Sequence, residues 1–99
     1  MRTVLVLAAA LAAAPIGVFA QDTAGRNLAS ACAICHGTAG HPVTKDVIPL
    51  AGLPKDHIVT QMKAFRDGKR PATVMHQIAK GYSDAQIDQL AGWFAEQKR

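Results

Sequence analysis

The residues best able to do chemistry form one short string, Cys32-Ala33-Ile34-Cys35-His36. Two thiols three positions apart at a helix end can each add to one vinyl group of a haem. The next residue then places an imidazole beneath the iron, so C-x-x-C-H combines covalent attachment and axial ligation in a single turn. Other uses of the two thiols fit less well. A thioredoxin-like dithiol needs a βαβ setting, and the chain shows no strand alternation. A zinc site wants four N or S ligands, typically with a second Cys or His pair, and His41 and His57 lack that spacing. A disulfide between such close residues would stabilise little, because its effect grows with the loop it closes. One covalent haem c on Cys32 and Cys35, with His36 as first axial ligand, is the expectation.

The second axial ligand decides what such a haem does. An open iron binds small ligands, whereas a Met/His pair favours electron transfer at a raised potential. Met62, Met75, His41, His57 and His76 are the candidates. Met62 shares a helical face with Ile58 and Phe65 and reads as core filler. Met75 follows the Pro71 loop, far enough from His36 to reach the opposite haem face, and His76 is its neighbour. Successive helical residues point about 100° apart, so only one of the two can face the iron. The spacing favours Met75 and leaves His76 open. His41, in a Gly/Pro loop, and His57, in a polar first turn, read as exposed.

These groups must be positioned by a short chain of 99 residues. Sixteen of the first twenty residues are apolar and the single charge among them is Arg2. A positive start, an apolar run over residues 4–14, Pro15 and Gly17, and small residues ahead of Gln21 have the anatomy of a secretory signal cleaved after Ala20. The run is short for a membrane span of ~20 residues. Residues 21–99 then form a single domain of charge +3. At that size a lone hydrophobic core is marginal, and a haem would supply apolar mass. The mild basic balance lacks the Lys/Arg clusters of a nucleic-acid binder. The remainder reads as all-α. A first helix is expected over residues 24–33, capped by Asp22-Thr23, and a loop over 37–53 marked by Gly37, Gly40, Pro42, Pro49 and Gly52. A second helix has Pro54 at its first position and ends at Asp67-Gly68. A short stretch over 73–79 closes at Gly81. Ser83 and Gln86 form a capping box for a last helix that buries Ile87, Leu90, Ala91 and Phe94.

With these residues in view, nearly all of residues 24–97 resembles a class I cytochrome c. More narrowly it is similar to the cytochrome subunit of flavocytochrome c sulfide dehydrogenases, and to small soluble cytochromes near them. The match is carried by Cys32 to His36 with Gly37-Thr38, by Leu50-Ala51-Gly52, by Phe65-Arg66-Asp67-Gly68, and most specifically by Thr73-Val74-Met75 with Ile78-Ala79-Lys80-Gly81-Tyr82-Ser83. The resemblance implies three to five helices wrapped around one haem c, with Met75 as sixth ligand. It implies that the first and last helices cross, Gly25 and Leu28 lying near Leu90, Trp93 and Phe94. Tyr82, Trp93 and Phe94 read as core aromatics. It also implies a loop carbonyl, commonly from a proline, accepting the Nδ1–H of the haem histidine. That position is Ile48 here, with Pro49 one place later. Many of the resembled subunits carry two haem domains, whereas this chain has one C-x-x-C-H, so a one-haem version is expected.

Lys63, Arg66, Lys69, Arg70 and Lys80 flank the Met75 loop. They read either as a solvated helix face or as a basic ring steering an acidic redox partner, an effect that salt would screen. No nucleophile with a base, paired carboxylates or phosphate loop is visible, so no catalysis by the chain alone is expected. The leading expectation is a periplasmic one-electron carrier. Beside it stand a haem-bearing, electron-accepting subunit of a flavoprotein sulfide dehydrogenase, and a haem-based ligand sensor.

Overall fold

Ser83 carries the strongest local signal in the chain, and the fold uses it. In the computed structural model, which describes residues 3–6, 8–12 and 17–99 (side chains of 17–22 excepted), the Ser83 hydroxyl accepts from the Gln86 N–H at 3.2 Å. The Gln86 side chain accepts from the Ser83 N–H at 3.0 Å. This box starts helix α5, Asp84–Ala95. Its buried residues are Ile87, Leu90, Ala91 and Phe94, as the i, i+3, i+4, i+7 spacing requires.

Helix α1, Gly17–Ala29, packs chiefly on α5. The approach is close at Gly25. A Cβ built there would lie 2.7 Å from the Gln89 carbonyl oxygen and 3.1 Å from the Trp93 Cβ, so only a residue without a side chain lets the backbones come this near. The crossing read from the resemblance is present. The helix starts earlier than its Asp22-Thr23 cap suggests, because nothing between Gly17 and Thr23 breaks it and Ala20 and Gln21 are good helix formers. Of the residues read as a leader, Met1, Arg2, Leu7 and 13–16 lie outside the described residues. A 3-10 turn, Ser30–Cys32, and helix α2, Ala33–His36, carry the right-handed path on from Ala29.

Helix α3, Lys55–Arg66, is preceded by Pro54 at the N-cap rather than at the first helical position. Its ψ of 135° is extended while its carbonyl already accepts the Ile58 N–H at 3.2 Å. Ile58 and Met62 are buried. Phe65 is half-buried and packs on the same core. Gly68, at φ 71°, ends the helix. Helix α4, Met75–Ala79, is shorter than the 73–79 stretch expected, since Val74 at φ −133° is not helical. It packs on α3, and α3 packs on α5.

Ala29, Ile58, Met62, Ala79, Ile87, Leu90, Ala91 and Phe94 form one buried cluster. Trp93 and Tyr82, read as core aromatics, are half-buried and pack against it. Trp93 meets Phe94 edge-on at 5.1 Å. The Tyr82 hydroxyl donates to the Leu28 carbonyl at 3.4 Å. The main cluster is helical and small, with Leu50 and Leu53 of the loop packed against it. Replacing Gly25 by alanine is expected to destabilise the purified protein by about 1–3 kcal/mol, the range for forcing an extra carbon into a packed site. Urea denaturation followed by circular dichroism measures it.

Candidate haem site

The motif Cys32 to His36 lies at the end of the N-terminal helical path, and Gly37 must turn the chain away from it. Gly37 does so at φ 80°, and a Cβ there would run into the His41 carbonyl oxygen. A second tight turn follows, Thr38–Gly40, with Ala39 at φ 53° and Gly40 at φ 80°. The Gly40 carbonyl then accepts both Leu50 N–H (3.0 Å) and Ala51 N–H (3.2 Å). These two bonds close the neck of the 41–49 loop and bring its far arm back beside the motif.

That return places the Ile48 carbonyl 2.7 Å from His36 Nδ1. A carbonyl can only accept, so Nδ1 carries the proton and Nε2 is left as a free, basic lone pair suited to a metal. Of the two carbonyls left open by the sequence, Ile48 serves, because the loop neck at Gly40 sets where the arm passes. Both thiols are free, Cys32 half-buried against the core and Cys35 exposed. Burial pushes the Cys32 thiol above its ordinary range, and burial first, then the charge of Cys32, does the same to the Tyr82 phenol.

Met75 packs against the same core cluster as Cys32, from α4. His76, beside it, is half-buried, and its Nδ1 is buried without a hydrogen-bond partner. A ligating imidazole normally has its second nitrogen engaged. His36 meets that condition through the Ile48 carbonyl. Met62 is buried core, as expected, and His57 is exposed. His41 is exposed too, but both its ring nitrogens face carbonyls, Thr38 at 3.2 Å and Lys98 at 2.5 Å. This tie to a residue 57 positions away has no signal in the sequence.

The residues fit a haem c. Besides the two thiols and one oriented imidazole, large apolar side chains stay exposed on α2, on the 41–49 loop and around Met75: Ile34, Val43, Ile48, Val74 and Ile78, from 42% at Ile78 to 98% at Val43. Burying such side chains is favourable, and a bound apolar macrocycle offers them that. Among the described residues no three His, Cys, Asp or Glu gather to hold a bare metal ion.

Two of the five basic residues near the Met75 loop have side-chain partners. The Arg66 guanidinium binds Asp84 at 2.6 Å and Asp67 at 3.5 Å, tying the end of α3 to the start of α5. Arg70 donates to Gln61 and lies over the Phe65 ring, 4.6 Å from its centre. Lys69 and Lys80 remain exposed, with Lys63 half-buried.

No family model matches the chain. Cytochrome c-554(548) of Halomonas halodenitrificans is 32% identical over 78 residues, which span 76% of this chain and 94% of that protein. The chain belongs to the cytochrome c family. Its cofactor is haem c. The cytochrome subunit of sulfide dehydrogenase from Chlorobaculum tepidum is 38% identical over 74 residues, covering 74% of this chain and 66% of the subunit. Among solved structures, cytochrome c4 of Acidithiobacillus ferrooxidans matches with a TM-score of 0.66 at 29% identity, over 81% of this chain and 49% of that one. This cytochrome chain thus spans 66%, 48% and 37% of three of the curated relatives it matches.

The Arg66 hydrogen bond, then its charge, then Lys63, hold the Asp84 carboxyl below the ordinary carboxylate range. A lowered folded-state value contributes stability that is present above the unfolded value and lost as pH falls through the folded one. Asp84→Asn is therefore expected to be less stable than the parent at neutral pH. The difference should shrink to nothing well below the carboxylate range, as measured by denaturant unfolding at both pH values.

Proposed function

We propose that this cytochrome is an exported one-electron carrier whose haem is tethered by Cys32 and Cys35 and ligated by His36 and Met75. The observation that carries the reading is the 2.7 Å bond from His36 Nδ1 to the Ile48 carbonyl, which leaves Nε2 bare and fixes the ring. When bound, haem c supplies a ferric/ferrous couple. His36 would ligate the iron through Nε2, with its ring held at constant orientation by the Ile48 carbonyl. The Met75 thioether, a soft ligand packed on an apolar cluster, would be the second ligand and would raise the potential. Ile48, Val74 and Ile78 would exclude water beside the ligands. Cleavage after Ala20 would leave Gln21 as first residue, inside α1. No helix among the described residues is long and apolar enough to cross a membrane, and the expected destination is the periplasm.

A second reading has the same chemistry in a different setting. The similarity to a sulfide dehydrogenase cytochrome subunit supports this chain being the electron-accepting partner of a flavoprotein. Size-exclusion chromatography of the native protein, recording haem and flavin absorbance together, separates the two. Haem alone near the mass of this chain supports the free carrier. Co-elution with flavin at larger mass, and haem reduction on adding sulfide, supports the subunit.

Met75→Ala is expected to lower the midpoint potential by at least about 0.1 V, within the ~0.8 V that axial ligands command, and to let the ferrous protein bind carbon monoxide. Spectroelectrochemistry and a carbon monoxide difference spectrum check both. An unchanged potential overturns the assignment of Met75.

A further inference from the structure

The 41–49 loop brings the Ile48 carbonyl to His36, and one short segment, Lys98-Arg99, holds both arms of its neck. On the entering arm, His41 Nε2 lies 2.5 Å from the Lys98 carbonyl, the shorter of the two contacts its ring makes. A carbonyl only accepts, so Nε2 carries a proton and donates it. On the leaving arm, Arg99 Nε donates to the Gly52 carbonyl at 3.5 Å. A Cβ built at Gly52 would lie 2.7 Å from Arg99 Cγ, so the segment rests directly on that arm.

His41 also sits against the haem motif. Its N–H donates to the Thr38 carbonyl at 3.0 Å, and its own carbonyl oxygen stands where a Cβ on Gly37 would go. Gly37 follows His36 directly. The ring thus joins the first turn after the motif to the residues beyond α5, across the neck where the Gly40 carbonyl takes Leu50 and Ala51. We propose that His41 is a positioning residue for His36: its bond to Lys98 keeps the neck closed and so holds the Ile48 carbonyl on His36 Nδ1. That carbonyl raises the basicity of the ligating nitrogen, which favours ferric iron, so loosening it shifts the couple toward ferrous iron. This positioning rests on His36 being an axial ligand.

The test compares His41→Leu and His41→Gln in the haem-loaded protein. The glutamine amide can donate from near the place of Nε2, and leucine cannot. At a fixed applied potential near the midpoint, His41→Leu is expected to raise the ferrous-to-ferric ratio about threefold, the scale of weakening one hydrogen bond. The His36 Nδ1–H, followed by NMR, is expected to exchange with solvent faster by a similar factor. His41→Gln is expected to stay with the parent in both. Ser83→Ala removes the α5 cap without touching the neck, and is expected to lower stability while leaving both readouts unchanged. The proposal is overturned if His41→Leu matches the parent, or if His41→Gln or Ser83→Ala moves both readouts as far as His41→Leu does.

The parent alone gives a second readout, which decides even if His41→Leu cannot be loaded. Its His41 ring is expected to show a protonated Nε2 with a nuclear Overhauser contact to Lys98, and an Nε2 without its proton overturns the proposal. The His36 ring resonances of the ferrous parent separate the two levels of failure. If the haem ring current does not shift them, His36 ligation and this inference fall together. Shifted resonances with an unaltered ratio in His41→Leu overturn the inference alone.

Discussion

The approach of α1 to α5 at Gly25 is the constraint from which the site geometry descends. With 2.7 Å between a would-be Cβ and the Gln89 carbonyl, the two helices touch through backbone, and α5 is fixed relative to the path leading into the haem motif. The Phe94 carbonyl of α5 accepts the Gly52 N–H at 2.9 Å, which anchors the far end of the long loop to the same helix. Gly40 then holds Leu50 and Ala51, and Ile48 comes to rest against His36. After the helix contact, the links are hydrogen bonds of 2.7 to 3.2 Å. The orientation of one imidazole thus depends on a helix contact that involves neither it nor its neighbours in sequence.

Electrostatics divides along similar lines. Basic residues near the Met75 loop look equivalent in a list, yet the fold assigns them different work. Arg66 joins α3 to α5 through Asp84, whereas Arg70 stacks on Phe65 and keeps its charge. Lys69 and Lys80 keep their exposure and can contribute to a field that speeds association with an acidic partner. Lys55 and Asp88 pair at 3.1 Å, but both are exposed, and such pairs add little to stability.

The two short helices of the site are supported in different ways, and neither has a side-chain cap. Helix α2 has no buried residue and is held by the bond from His36 to Ile48 and by the turn at Gly40, whereas α4 buries Ala79 and packs on α3.

The sequence by itself determined the chemistry and most of the element types. C-x-x-C-H carries its own cofactor because attachment and ligation are local, and the Ser83/Gln86 box and the face of α5 were legible because caps and helical periods act within a turn or two. Met75 could be narrowed but not separated from His76 by spacing alone, since adjacent residues share a position in the chain. Their difference lies in what each side chain meets in space: the apolar cluster for Met75, and a buried site without a partner for the His76 nitrogen. Only the tertiary structure decided that the Ile48 carbonyl rather than that of Pro49 serves His36, that Pro54 caps α3 instead of entering it, that His41 reaches Lys98, and that Arg66 and Arg70 are engaged. Those are hydrogen bonds and contacts whose partners are brought together by a loop neck, a helix crossing or a packed turn, and no local pattern records the distance such contacts must span.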